Sequence, residues 1–155
     1  MNAVARLEQD RLEADRELAD FMSHCAGAGA GAVVSFVGIA RPVSKSGEAV
    51  TGLFLDHYPG MTEQSLQQIA DDGLARFDVS AVRVIHRCGD VAPGDPIVFA
   101  AAASQHRRAA FLAADYMMDR LKTEAMFWKK ELGVDGACWI APSEADRADL
   151  ARWSE

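Results

Sequence analysis

Residues 104–131 read SQHRRAAFLAADYMMDRLKTEAMFWKKE, an apolar segment with a cluster of cations at each end. Ser104 follows an apolar strand-like run and is a good helix N-cap, so the segment is predicted to be one long helix starting there. The first cluster, His106, Arg107 and Arg108, falls at the helix start. Unpaired backbone N–H groups and the positive dipole end already favour anions there, and the added cations suit a phosphate. Lys122 and Lys129 form the second cluster. Seven residues apart on a helix, they share one face, roughly 10 Å apart along the axis. The chain has only four lysines, and these two lie beside Phe127 and Trp128.

At that separation two ammonium groups repel by about 0.4 kcal/mol in water and about 1.7 kcal/mol at an effective dielectric of 20. Repulsion and pocket desolvation both lower a lysine pKa, which would let one lysine exchange protons or stabilise an oxyanion near neutral pH. A pair of lysines snorkelling over Phe127 and Trp128 fits the same residues. Arg41, in a loop after a glycine-containing strand end, is a further candidate contact, although a lone loop arginine is commonly just solvated. His57 and His86 lie at or beside strands and read as structural.

The 155 residues are half hydrophobic and one quarter charged, with a formal net charge of −7, consistent with one soluble domain. An acidic chain is poorly suited to nucleic acid or anionic membranes, so local cation clusters point to a small anionic ligand. No apolar run approaches a membrane span, and the charged N-terminus does not resemble a secretory signal. Cys25, Cys88 and Cys138 are scattered without CxxC spacing, which fits a reducing, cytoplasmic setting. There is no metal-ligand spacing, GxSxG, P-loop or GxGxxG.

Outward from this segment, residues 3–22 read as an exposed amphipathic helix, and residues 25–31 (CAGAGAG) as a flexible connector. Strands are expected over 32–37, 49–56, 82–87, 97–103 and 136–141. Thr62 is placed as the cap of a helix running to about Phe77, and 89–95 is read as a turn. Strands and helices mix without regular βαβ alternation, which makes the fold class α+β.

GAVVSFVGIAR (31–41), LDHYPGMTE (55–63), VIHRCGDVAPGD (84–95), SQHR (104–107) and MDRLKTEAMFWKKE (118–131) together resemble the large, catalytic subunit of molybdopterin synthase, in family order. The resemblance implies an α/β hammerhead core with an additional small β subdomain. It divides the chain into an N-terminal helix and connector (1–30), a catalytic domain (31–142) and a C-terminal tail (143–155). It also implies a homodimer, assembled into a heterotetramer with a ubiquitin-like small subunit ending in Gly-Gly. That partner's thiocarboxylate would supply sulfur to cyclic pyranopterin monophosphate, with no cofactor and no metal. By resemblance Lys122 and Lys129 are catalytic. Ile39, Ala40, Arg41, His106, Arg107, Met118, Lys130 and Glu131 join them in binding substrate. The chain departs from the family text at Pro42–Lys45, at Met126 and at Ala141–Ser143. A non-catalytic adaptor that only docks the partner is the alternative.

Overall fold

The structure is a computed structural model and describes residues 2–154. Its strands are β1 (Ala3–Glu8), β2 (Ala32–Ile39), β3 (Val50–His57), β4 (Ala81–Arg87), β5 (Gly89–Val91), β6 (Pro96–Ser104), β7 (Phe127–Gly133) and β8 (Gly136–Ile140). The helices are α1 (Ala14–Ala26), α2 (Met61–Arg76), α3 (Arg107–Glu124) and α4 (Glu144–Ala151). Two four-stranded sheets result, with orders β1-β4-β6-β2 and β5-β3-β7-β8. The class is α+β, as the mixed element order implies.

All seven residues of β4 are buried, because the first sheet is covered on both faces. On one face Val82 and Val84 meet Leu66 and Ile69 of α2 and Ala113 and Met117 of α3. On the other face Ala81 and Ile85 meet Phe21 and Cys25 of α1. Burying each such large side chain contributes about 1.5–3 kcal/mol. The two helices on the first face touch where Gly73 lies against Met117. A Cβ at Gly73 would come within 2.9 Å of Met117 Cγ and Sδ, so a glycine permits that approach.

Two expected helical stretches are strands instead. Residues 3–8 form β1, parallel to β4 in the register Ala3↔Val82 to Glu8↔Arg87, and only Ala14–Ala26 is helical. That helix is no solvated appendage: Leu12 just before it, and Phe21 and Cys25 within it, are fully buried under the sheet. Within the stretch read as a helix and linker, Ala3–Glu8 and Ala14–Ala26 therefore supply an edge strand and a covering helix to the core. The long segment also stops early. Ala125 is extended, and Phe127–Gly133 run as β7 between β3 and β8.

The switch from α3 to β7 is held from α2. The Thr62 hydroxyl donates to the Met126 carbonyl, and Met126 N–H donates to Ser65 Oγ. Thr62 also accepts from Tyr58 N–H, and the N-cap of α2 is Gly60, so Thr62 is not the cap. Ser104 likewise is not the N-cap of α3. It closes β6, its hydroxyl donates to the His106 carbonyl, and His106 takes the cap position. Residues 89–95 contain the short strand β5 before their turn.

The C-terminal residues are held as well. Trp153 Nε1 donates to Asp119 and Arg152 pairs with Asp115 and Asp119, fastening α4 to α3. Within the stretch expected as a tail, Glu144–Ala151 is thus a docked helix.

Candidate functional site

The α3 start lies in a cavity of about 470 Å³ lined by Gly31, Ala32, Gln105, His106, Arg107 and Arg108. His106 and both arginines are exposed, no acidic residue occupies the first turn, and no side chain caps the helix. Its first N–H groups thus remain available to an anion. Gly31 shapes the floor: its N–H donates to the Ser104 carbonyl, and a Cβ there would lie 2.4 Å from the Gln105 carbonyl oxygen. Gly31, which in sequence looked like part of a linker, is required for this close approach.

The lysine pair sits at the other end of α3. Lys122 is in the last helical turn, and Lys129 is on β7, opposite Leu55 of β3 and Ile140 of β8. The two share a site through a helix–strand junction, not through helical spacing. Burial pushes the Lys129 pKa down to about 8, with the Lys122 charge adding to that and the Asp146 carboxylate opposing it. Such a group is partly neutral near physiological pH and can give or take a proton.

His86 lies behind the pair. Burial drives its pKa down to about 3, reinforced by Lys129 and, less, by Lys122, against a hydrogen bond to the Arg87 carbonyl. The ring is therefore neutral, with Nδ1–H donating to Arg87 O over 2.8 Å, and it stacks on Phe127 at 4.2 Å between centroids. His86 is structural, as expected, but it is also the dry wall of the lysine site. An apolar cavity of about 340 Å³, lined by Tyr58, Met61, Met126, Phe127 and Trp128, adjoins the same stretch of β7.

The remaining candidates divide between the two ends. Ile39 and Arg41 are exposed at the end of β2, while Ala40 is buried against Leu55, the residue that pairs with Lys129. The Ala40 backbone is fixed to the Gly94–Asp95 turn by two hydrogen bonds. The 39–41 loop therefore belongs to the lysine end, and β2 spans roughly 23 Å from there to the α3 start. Met118 is half-buried against the core, one turn before Lys122 on the same helix face. Along β7, alternation puts Glu131 on the face of Lys129 and Lys130 on the other. Lys130 stands over the Trp139 ring at 5.3 Å.

Asp146 had no role in the sequence reading. Ser143 and Asp146 form a capping box on α4: Ser143 N–H donates to Asp146 Oδ2 and Asp146 N–H to Ser143 Oγ. Burial pushes the Asp146 pKa up, but the Ser143 hydrogen bonds and the charges of Lys122 and Lys45 outweigh it, and the group stays below its ordinary value. The S-x-x-D pattern was the available signal. Among the described residues no group of three or more His, Cys, Asp or Glu is placed to hold a metal ion, and no helix is long and apolar enough to cross a membrane.

Residues 7–124 match the family described as MoaE protein. The chain is 50% identical over 127 residues to the molybdopterin synthase catalytic subunit of Vibrio cholerae, covering 82% of this chain and 84% of that one. It is 43% identical over 150 residues to the Pseudomonas aeruginosa protein of the same description, covering 97% and 98%. Its structure superposes on molybdopterin cofactor biosynthesis protein E from Burkholderia multivorans with a TM-score of 0.81 and 36% identity, over 100% of this chain and 99% of that one. The chain belongs to the MoaE family, the catalytic subunits of molybdopterin synthase.

Proposed function

We propose that the lysine end is where sulfur is transferred from a thiocarboxylated, ubiquitin-like small subunit to cyclic pyranopterin monophosphate, building the dithiolene of molybdopterin. The observation that carries this is Lys129, half-buried beside Lys122 with a pKa near 8, in a chain of this family. Lys122, exposed at the end of its helix, attracts the anionic thiocarboxylate tail and stabilises the oxyanion that forms on its acyl carbon as water replaces sulfur there, so that sulfur stays with the pterin and the partner's tail leaves as a carboxylate. Lys129 exchanges the proton. Arg41 adds a cation at the same end. The pterin is substrate, sulfur arrives with the partner, and neither step calls for a resident cofactor.

The anion pocket at His106 and Arg107 suits the substrate phosphate, yet it lies too far from Lys122 to serve the same molecule from one chain. Lys122 lies fifteen residue steps beyond Arg107, roughly 22 Å along an unbroken α3. A two-fold dimer can place one protomer's helix start beside the other's lysine pair. Each active site is accordingly composite, and the assembly is a homodimer with one small subunit on each protomer.

The test is conversion of the cyclic pterin in vitro by the purified chain and a thiocarboxylated partner. Formation of the dithiolene product supports the reading. Tight partner binding with no product in a single turnover would leave an adaptor and overturn it.

A further inference from the structure

Residues 123–128, between Lys122 and Lys129, contain neither proline nor glycine, yet α3 ends at Glu124 and Ala125 is extended, with φ −68° and ψ 134°. What turns the chain is a pair of α2 side chains that grip Met126 by both of its backbone polar groups. The buried Thr62 hydroxyl donates to the Met126 carbonyl at 2.6 Å while accepting from Tyr58 N–H at 2.8 Å. Ser65 Oγ accepts from Met126 N–H at 3.2 Å and donates to the Thr62 carbonyl at 2.8 Å. Each hydroxyl thus uses its donor and an acceptor position, and the clasp closes on itself. Its base is firm. Leu66, Ile69 and Ala70 bury α2 in the core, and Asp72 pairs with Arg120 of α3 at 2.8 Å.

We propose that Thr62 is a positioning residue for the transfer reaction: with Ser65 it fixes the turn at Met126 and thereby holds Lys129 against Lys122. This rests on the lysine end being the reacting centre. Lys122 lies four residues before Met126 and Lys129 three after it, so the two lysines flank the gripped residue. Were α3 to run on through the turn, both lysines would share one helix face, roughly 10 Å apart along the axis. With the turn held, β7 starts at Phe127, which pairs with His57, and carries Lys129 in between Leu55 and Ile140. There Lys129 is half-buried, next to the His86 ring that stacks on Phe127. The clasp therefore decides whether Lys129 enters the sheet or stays on the helix. Thr62 acts through the backbone, and the lysines do the chemistry.

Thr62→Val keeps the branched shape but removes the hydroxyl, and Thr62→Ser keeps the hydroxyl. The full-length variants are compared with the wild type in single turnovers at saturating cyclic pterin and thiocarboxylated partner. Thr62→Val should lower the limiting rate by about tenfold to 100-fold, the cost of misplacing a reacting group by about 1 Å, with partner affinity unchanged. Thr62→Ser should stay within about threefold of wild type. Ile69→Val removes a core methylene two turns farther along α2 and lowers stability without touching the clasp, so its rate should match wild type. Lysine 13C signals give a second reading, with Lys129→Arg identifying one of the four. The groups around Lys129 are Lys122 on α3, Glu131 on the same face of β7, Asp146 on α4 and neutral His86 on β4, and Thr62→Val alters none of them. A rise of the Lys129 midpoint from about 8 toward 10.5 therefore reports loss of burial. A folded Thr62→Val chain that loses less than about tenfold in rate overturns the proposal, as does an equal loss in Ile69→Val or in Thr62→Ser. Ser65→Ala removes the other half of the clasp and is read by the same criteria if Thr62→Val fails to fold. If the wild type makes no product, the sulfur-transfer reading fails and the Lys129 midpoint alone decides the clasp. A rise in the folded variant then keeps it, and an unmoved midpoint overturns it.

Discussion

At its N-terminal end α3 presents His106, Arg107 and Arg108 to solvent around unfilled backbone N–H groups, whereas at its C-terminal end it brings Lys122 to a half-buried Lys129 backed by a neutral, buried histidine. Both ends are cationic, but burial separates their chemistry. Exposed arginines keep their charge at any physiological pH and can only bind. A lysine pulled partly out of water, next to a second ammonium, loses certainty of charge and gains the ability to exchange a proton. One helix thus has an exposed arginine cluster at one end and, at the other, a lysine facing the half-buried Lys129 of β7, and the contrast can be broken or sharpened by mutation.

The largest effect is expected at the lysine end. Lys122→Ala should fold, dimerise and bind the partner, yet lower single-turnover product formation by about 100-fold or more, the range for loss of a positioned acid–base or charge-stabilising group. A rate within about threefold of wild type, a barrier change of only roughly 0.7 kcal/mol, would remove Lys122 from the mechanism.

At the anchor end the effect should fall on affinity. Arg107→Ala should weaken binding of the phosphate-bearing pterin by about 1.5–3 kcal/mol while leaving partner docking alone, because one charge-assisted contact is lost. Calorimetry decides this: equal pterin affinity in mutant and wild type excludes a phosphate role for Arg107.

A further effect concerns stability and tests how dry the lysine end is. The folded-state pKa of His86, about 3, lies below its ordinary 6.5, so the unfolded chain binds a proton that the folded chain refuses. Stability should therefore fall as pH drops from about 6.5 to about 3, with a slope of at most roughly 1.4 kcal/mol per pH unit from this group. His86→Phe keeps a ring against Phe127 and should flatten that part of the curve in urea melts. An unchanged slope would mean His86 is protonated in the folded chain and the wall is wet.

How much of this was readable from sequence depended on whether the cause was local. β2, β3, β4, β6 and β8 appeared within a residue or two of their observed bounds because apolar runs between glycine or proline turns are local signals. β1 was missed because its partner is distant: Ala3 pairs with Val82, and six residues with Arg6 and Glu8 among them resemble helix as much as strand. β7 was missed because no proline or glycine separates it from α3, and the Thr62 and Ser65 hydrogen bonds that end the helix are tertiary. Lys122 and Lys129 do come near each other, but through a helix–strand junction and not through the helical spacing read from sequence. Lys130 was grouped with them, but strand alternation puts it over Trp139 on the opposite face. Asp146 was hidden in a stretch that looked like a tail, since only the packing of Arg152 and Trp153 on Asp119 shows that α4 is docked.

The central claim is that the two ends of α3 meet only across a dimer, and subunit mixing tests it most directly. Lys122→Ala chains, slow as a homodimer, and Arg107→Ala chains, assayed at a pterin concentration too low to fill their weakened homodimer sites, are co-expressed and the mixed dimers verified. With random pairing about half of the dimers are mixed, and in a composite arrangement each mixed dimer has one site lacking both groups and one site with both intact. About a quarter of all sites should then turn over. If Arg107 and Lys122 of the same chain served one site, every site would carry one lesion and mixing would restore nothing. Recovery near a quarter of wild-type activity is the result this account predicts, and no recovery in verified mixed dimers contradicts it.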